Sequence, residues 1–329
     1  MYGNIKKIMV YKLLIVAKNT LTETLRQPIY AVIIAFSLFL FFMSPSIAMY
    51  TMDEDIKMLR EIGLSTLVLT GLFIAIFSAT AALTEEIETN TITTVLSKPI
   101  GRPTFILGKF LGVTAAVVLA HYICTTALLM AVRHGVLEAA IDTHDWPVIV
   151  TALVIVLLTL LLTAFLNYIY DWNFPATAIK LIAVFATFGM LFLSLIDKEW
   201  KFNPQNNNLH AFDIYASILL LFAVVVLVAL AIAFSTRLNV VLTLACCVGA
   251  FLLGLISDYV FGRFAQTNLW ARLGHILAPN VQVFWISDAI YEGSSIEPYY
   301  LLISALYALL YTSGILLIAI ALFQKRQVG

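Results

Sequence analysis

The strongest constraint on this chain is a repeated one: apolar runs, each long enough to cross a bilayer. A helical span needs roughly 20 mostly apolar residues to cross about 30 Å of hydrocarbon. Eight such runs occur, at about 29–50, 62–83, 105–132, 147–167, 174–196, 214–235, 239–261 and 299–323. The expected fold is therefore all-α, a polytopic transmembrane helical bundle. Composition agrees, at 62% hydrophobic and 12% charged, against about 25% charged in a soluble domain. The formal net charge is zero, which gives no basic face for nucleic acid.

Connections between runs define their pairing. Runs four and five are separated only by a short YDWNFP stretch, and Pro175 suits a helix first turn. Runs six and seven are joined by Ser235-Thr236-Arg237-Leu238-Asn239. Each pair reads as a hairpin with a tight polar turn. An even number of spans puts both termini on one side. With that side inside, 12 Lys and Arg residues fall there and seven outside, the bias that orients membrane proteins. Both termini are thus expected in the cytoplasm.

Residues 1–28 precede the membrane domain at 29–329. Within them Ile5, Ile8, Met9, Leu13, Val16 and Ala17 recur at helical spacing among Lys6, Lys7, Lys12 and Lys18. This pattern fits an interfacial amphipathic helix on anionic headgroups; it equally fits a positively charged anchor for the first span. At the other extreme, 258–298 is long and aromatic, with Tyr259, Phe261, Phe264, Trp270, Phe284, Trp285 and Tyr291. It reads as short interfacial or re-entrant helices on the outer face.

The most informative stretch is 84–104. Glu85, Glu86 and Glu88 open it, a Thr-rich segment follows, and Pro99, Gly101 and Pro103 force a turn. Thr104 then starts a helix that enters the membrane. A mere connector could be about five residues long and polar; this one is longer and mixed, as a docking surface would be. The run E-E-I-E-T-N-T-I-T-T-V-L-S-K-P-I-G-R-P-T-F-I-L-G-K-F-L-G resembles the cytoplasmic coupling loop of ABC transporter permeases of the type-two exporter class, in its NosY-like branch. Supporting matches are Ala233-Phe234-Ser235-Thr236-Arg237 with Gly254-Leu255-Ile256-Ser257, and Ala278-Pro279-Asn280 with Asp288-Ala289 and Gly293. Asn90 departs from the pattern, standing where a glycine is expected. Members of the class commonly have six spans, so 147–196 looks like an additional hairpin.

The resemblance implies a permease subunit of an exporter that works in the inner (plasma) membrane as one of a pair, here a homodimer. It also implies a separate cytoplasmic ATP-binding subunit docking on Glu86, Glu88, Thr91, Leu96, Lys98 and Arg102. It implies no cofactor. Taken alone, the acids could simply favour a helix start, and Lys98 and Arg102 could simply obey the charge bias.

Other constellations carry less. Gly101 to Phe110 is the nearest approach to a phosphate-binding loop, but the spacing is wrong and Phe110 stands where Ser or Thr would hold Mg²⁺. ATP hydrolysis is therefore expected from another chain. His121 lies one helical turn from Cys124, too few ligands for a metal site. Met43, Met49, Met52 and Met58 read as packing. Gly108 and Gly112 form a small-xxx-small pair. No span carries a central Asp or Glu, as a proton-coupled transporter would need. A lipid-modifying intramembrane enzyme would need a catalytic cluster; the five histidines are scattered. A non-transporting membrane scaffold is the remaining alternative.

Overall fold

The computed structural model describes residues 2–49, 55–85, 101–137, 143–286 and 297–324. The all-α expectation holds, and eight helices are long and apolar enough to cross a membrane. The helices are α1 (Tyr2–Arg26), α2 (Pro28–Ala48), α3 (Asp55–Thr80), α4 (Arg102–His134), α5 (Trp146–Tyr170), α6 (Phe174–Leu195), α7 (Ala211–Ser235), α8 (Val240–Val260), α9 (Leu269–Leu277) and α10 (Pro298–Gln324). A π-helical turn, Ala81–Glu85, extends α3. All but α1 and α9 are spans.

Helix starts follow local chemistry. Asp145, Asn173 and Asn239 each accept a hydrogen bond from the backbone N–H three residues on, capping α5, α6 and α8. Proline occupies the first turn of α2, α4, α5 and α6, where its missing N–H costs no intrahelical bond. The second span starts at Asp55, seven residues earlier than the apolar run suggests. Lys57 and Arg60 hide that extension in the sequence. Arg60 is accommodated because Asp213 on α7 meets it: Nε lies 2.8 Å from Oδ1, and Nη2 donates to Oδ2 at 3.2 Å.

The core is the trio α3, α4 and α7. Helix α7 is enclosed along most of its length, with Ala216, Leu219, Val224, Leu227, Val228, Ala229, Ala231 and Ile232 all buried. A helix that is apolar all round belongs in such a place. Polar side chains cross-link neighbours inside the bundle. Ser37 on α2 meets Thr70 on α3 at 2.6 Å, and Tyr122 on α4 meets Thr187 on α6 at 2.7 Å. Such bonds add roughly 0.6 kcal/mol each within a membrane.

The α5–α6 hairpin sits at the edge, where most of α5 exposes leucine, valine and phenylalanine side chains. A small patch of Met130, Val148, Ile155 and Leu193 joins it to α4. The end of the hairpin away from its turn is held by Arg133 at the end of α4. Arg133 Nε donates to Asp145 Oδ2 at 3.2 Å, and its two terminal nitrogens donate to the carbonyls of Leu193 and Ile196. Both charges are almost wholly buried. Removing one partner of a buried pair leaves the other uncompensated, at about 3–5 kcal/mol. Asp145→Ala should therefore lower the melting temperature of the detergent-purified protein clearly. A variant melting with the parent would show that the pair does not hold the hairpin.

Candidate functional site

The termini of the spans gather into two layers. One contains the ends of the Arg60–Asp213 and Arg133–Asp145 pairs. The other contains the end of α3, the foot of α4, the turn between α7 and α8 and the end of α10. The segment 86–100 leaves from and returns to this second layer. Glu86, Glu88, Thr91, Leu96 and Lys98 lie outside the described residues. Arg102, the sixth member of the expected docking set, is described.

Arg102 is the first residue of α4, which starts after extended Gly101, two residues before Thr104. Its Nη1 donates to the carbonyl of Gln324, at the end of α10. From the α7–α8 turn, Arg237 Nη2 donates to the carbonyl of Leu322 at 2.6 Å. The last carbonyls of a helix have no intrahelical donors and lie at the negative end of its dipole. A cation there contributes about 0.3–1 kcal/mol. Below them Phe105 stacks on Phe323 with ring centroids 5.7 Å apart. The chain thus fastens the end of its last helix to the residue where the 86–100 segment re-enters the bundle.

Helix α1 braces the same foot. Gly108 and Gly112, one turn apart on α4, form a groove into which Val16 and Thr20 of α1 fit. A Cβ added to Gly112 would lie 2.6 Å from the Ala17 carbonyl oxygen and 2.6 Å from Thr20 Cβ; one on Gly108 would lie 2.7 Å from Val16 Cβ. No side chain is tolerated at that separation. The small-xxx-small pair therefore seats α1 against a span. Met9, Val10, Tyr11, Leu14 and Ile15 stay exposed on α1's other side, a face suited to the membrane interface. Between the two helices lies Lys109, buried, with Nζ 3.9 Å from Glu23 Oε2 and 5.5 Å from the Phe105 ring centroid.

Glu23 lies in this layer outside every motif, and Lys109 and Arg237, which fall within the quoted motif runs, were not chosen as docking residues. A lysine inside an apolar helix start is a signal that could have found Lys109. Nothing in the sequence pairs Arg237 with α10. The stretch from Arg102 onward is helical, so Gly108 and Lys109 cannot form a phosphate-cradling loop.

Deeper in the bundle, His121 Nε2 lies 2.9 Å from the Ser217 carbonyl oxygen and 3.0 Å from its hydroxyl. Thr125 reaches the same hydroxyl at 2.6 Å. His121 thus joins α4 to α7 by hydrogen bonding. Among the described residues no three His, Cys, Asp or Glu side chains gather as metal ligands. Of the methionines, Met58 packs against the core and Met49 is exposed; Met52 lies outside the described residues.

On the opposite layer, α9 is a nine-residue helix exposing Leu269, Trp270, Ile276 and Leu277. Asp258 Oδ1 accepts from Asn280 Nδ2 at 3.0 Å and lies 2.7 Å from His275 Nε2, tying α8 to the segment that follows α9. Residues 287–296, including Asp288, Ala289, Tyr291 and Gly293, lie outside the described residues.

Residues 14–169, just under half of the chain, match the family model described as ABC-2 family transporter protein. The match begins in α1, spans the seat of α1 on α4 and the 86–100 segment, and ends in α5. No curated protein matches the chain. The chain is a multi-pass helical membrane protein, similar over those residues to ABC-2 transporter permeases.

The seat of α1 is directly testable. Gly112→Leu should displace α1 and loosen its backbone for trypsin at Lys12 and Lys18, with at least several-fold faster cleavage of the purified protein. Equal cleavage of variant and parent would mean that the glycine groove does not hold the helix.

Proposed function

We propose that this chain is the membrane permease subunit of an ATP-binding-cassette transporter that exports its substrate, driven by a separate cytoplasmic ATPase. The match of residues 14–169 to ABC-2 family transporter protein carries the reading. Eight apolar helices support it, as does the acidic, Pro/Gly-terminated 84–104 stretch. The permease acts as a homodimer with both termini in the cytoplasm of a cell whose inner (plasma) membrane it spans.

The ATPase docks on 84–104 through Glu86, Glu88, Thr91, Leu96, Lys98 and Arg102. Closure of the ATPase pair on ATP favours one arrangement of the membrane subunits through contacts that differ between the two states. Mechanical input at the loop reaches α3 through the Ala81–Glu85 turn and α4 through Arg102. The Arg102 and Arg237 bonds to the end of α10 extend that input to the last span. The α1 helix, seated on α4, moves with it.

Affinity purification of this chain from the membranes of its own cells should bring a cytoplasmic ATPase subunit with it. Replacing Glu86 and Glu88 together by Lys should abolish co-purification and the permease-dependent stimulation of ATP hydrolysis. The double variant should otherwise run as a folded membrane protein on size exclusion. Full ATPase stimulation by that variant would remove the two acids from the coupling mechanism. A parent chain that recruits no ATPase would favour the scaffold reading.

A further inference from the structure

We propose that a cleft between α1 and the tip of the α5–α6 hairpin holds the headgroup of an anionic phospholipid. The cleft has a volume of about 350 Å³ and is lined by Thr22 and Arg26 of α1, Asp171 and Trp172 of the hairpin turn, and Thr177 and Lys180 of α6. One water needs only about 10–15 Å³ of such space, so the cleft has room for a group of phosphate size.

Charge selects the occupant. Arg26 and Lys180 are both exposed, and no hydrogen bond or ion pair joins either to another described residue. Asp171 supplies one opposing charge, so the lining is net cationic. Helix ends do not change the sign: the start of α6 is offset by the ends of α1 and α5, which meet at the same place. An arginine fork, a lysine ammonium and the half-exposed indole of Trp172 bring donors to one cleft. This donor set suits phosphate oxygens.

Position selects a lipid over a free anion. Along α6, Lys180 is followed at helical spacing by exposed Val184, Phe188 and Leu191, which continue its face into the membrane. A headgroup held at Lys180 therefore places its acyl chains on an apolar stripe. The hairpin tip carries exposed Tyr168, Tyr170 and Trp172, side chains that favour the headgroup level. Basic pockets between helices at this level are the form that anionic-lipid recognition takes.

Asp171 provides an independent handle. It ends α5 in the left-handed conformation, at φ 54°, which Asn adopts as readily as Asp. Asp171→Asn removes the opposing charge and keeps the turn.

The test is native mass spectrometry of the purified full-length chain, titrated with palmitoyl-oleoyl phosphatidylglycerol or with the phosphatidylcholine of the same chains. The parent should retain one phosphatidylglycerol per chain in preference to phosphatidylcholine. Arg26→Gln with Lys180→Gln should weaken that retention roughly tenfold or more, the scale of losing charge-assisted bonds. Asp171→Asn should strengthen it. Melting temperatures in lipid-free detergent, matching the parent, verify that the variants fold. Equal retention of phosphatidylcholine, unchanged retention by the double variant, or displacement of the lipid by millimolar inorganic phosphate would each overturn the proposal. The assay contains no ATPase or transport substrate, so its outcome is separate from that of the transport reading.

Discussion

The enclosure of α7 by its neighbours is the arrangement on which the bundle depends. In hydrocarbon, helices gain little from burying apolar surface against one another, because lipid tails are equally apolar. Association rests on close packing and on polar cross-links. Ala216, Ala223, Ala229 and Ala231 keep α7 narrow and are buried, so α3, α4 and α10 can approach it. Helices α2, α5, α6 and α8 then keep wide lipid-facing surfaces, because the central positions are already filled.

The two ends of the bundle are fastened differently, and the difference bears on where a conformational input can act. At one end, Asp213 faces Arg60, and Arg133 faces Asp145, in nearly or fully buried pairs. Separating either strands a charge in a low-dielectric interior, so those contacts resist rearrangement. At the other end, the end of α10 is held in part by arginine-to-carbonyl bonds at exposed positions. Water or another donor can replace an arginine there at small cost. The exchangeable contacts at this end are therefore those that hold the end of α10.

All eight spans were legible in the sequence because hydrocarbon thickness sets a length that soluble helices rarely meet with so few charges. What escaped were places where charge enters a helix. Lys57 and Arg60 made the start of α3 look like a loop; the distant Asp213 meets Arg60 there, a pairing that spacing does not reveal. Lys109 is buried because the docking of α1 brings Glu23 to it, which spacing alone does not reveal. Gly108 and Gly112 signalled close packing, but not which helix approached. Of the docking set, Arg102 alone falls among the described residues, and its bond to Gln324 spans most of the chain, a contact no local pattern encodes.

The α5–α6 hairpin is attached at both ends and, through Tyr122 and Thr187, midway along α6. Arg133 holds the end away from the turn, and a small patch around Met130 and Ile155 supports it further along. At the other end α6 touches α1 and α2, and the cleft beside α1 separates its tip from the bundle. Since α1 is locked into α4 by a contact that admits no side chain at Gly112, α1 physically links the foot of α4 to the hairpin tip. Displacement of that foot must then either carry the tip along or open the cleft between them. An occupant bridging Arg26 on α1 and Lys180 on α6 would favour the first outcome. The hairpin would thereby become a membrane-facing brace on the helix that follows the 86–100 segment.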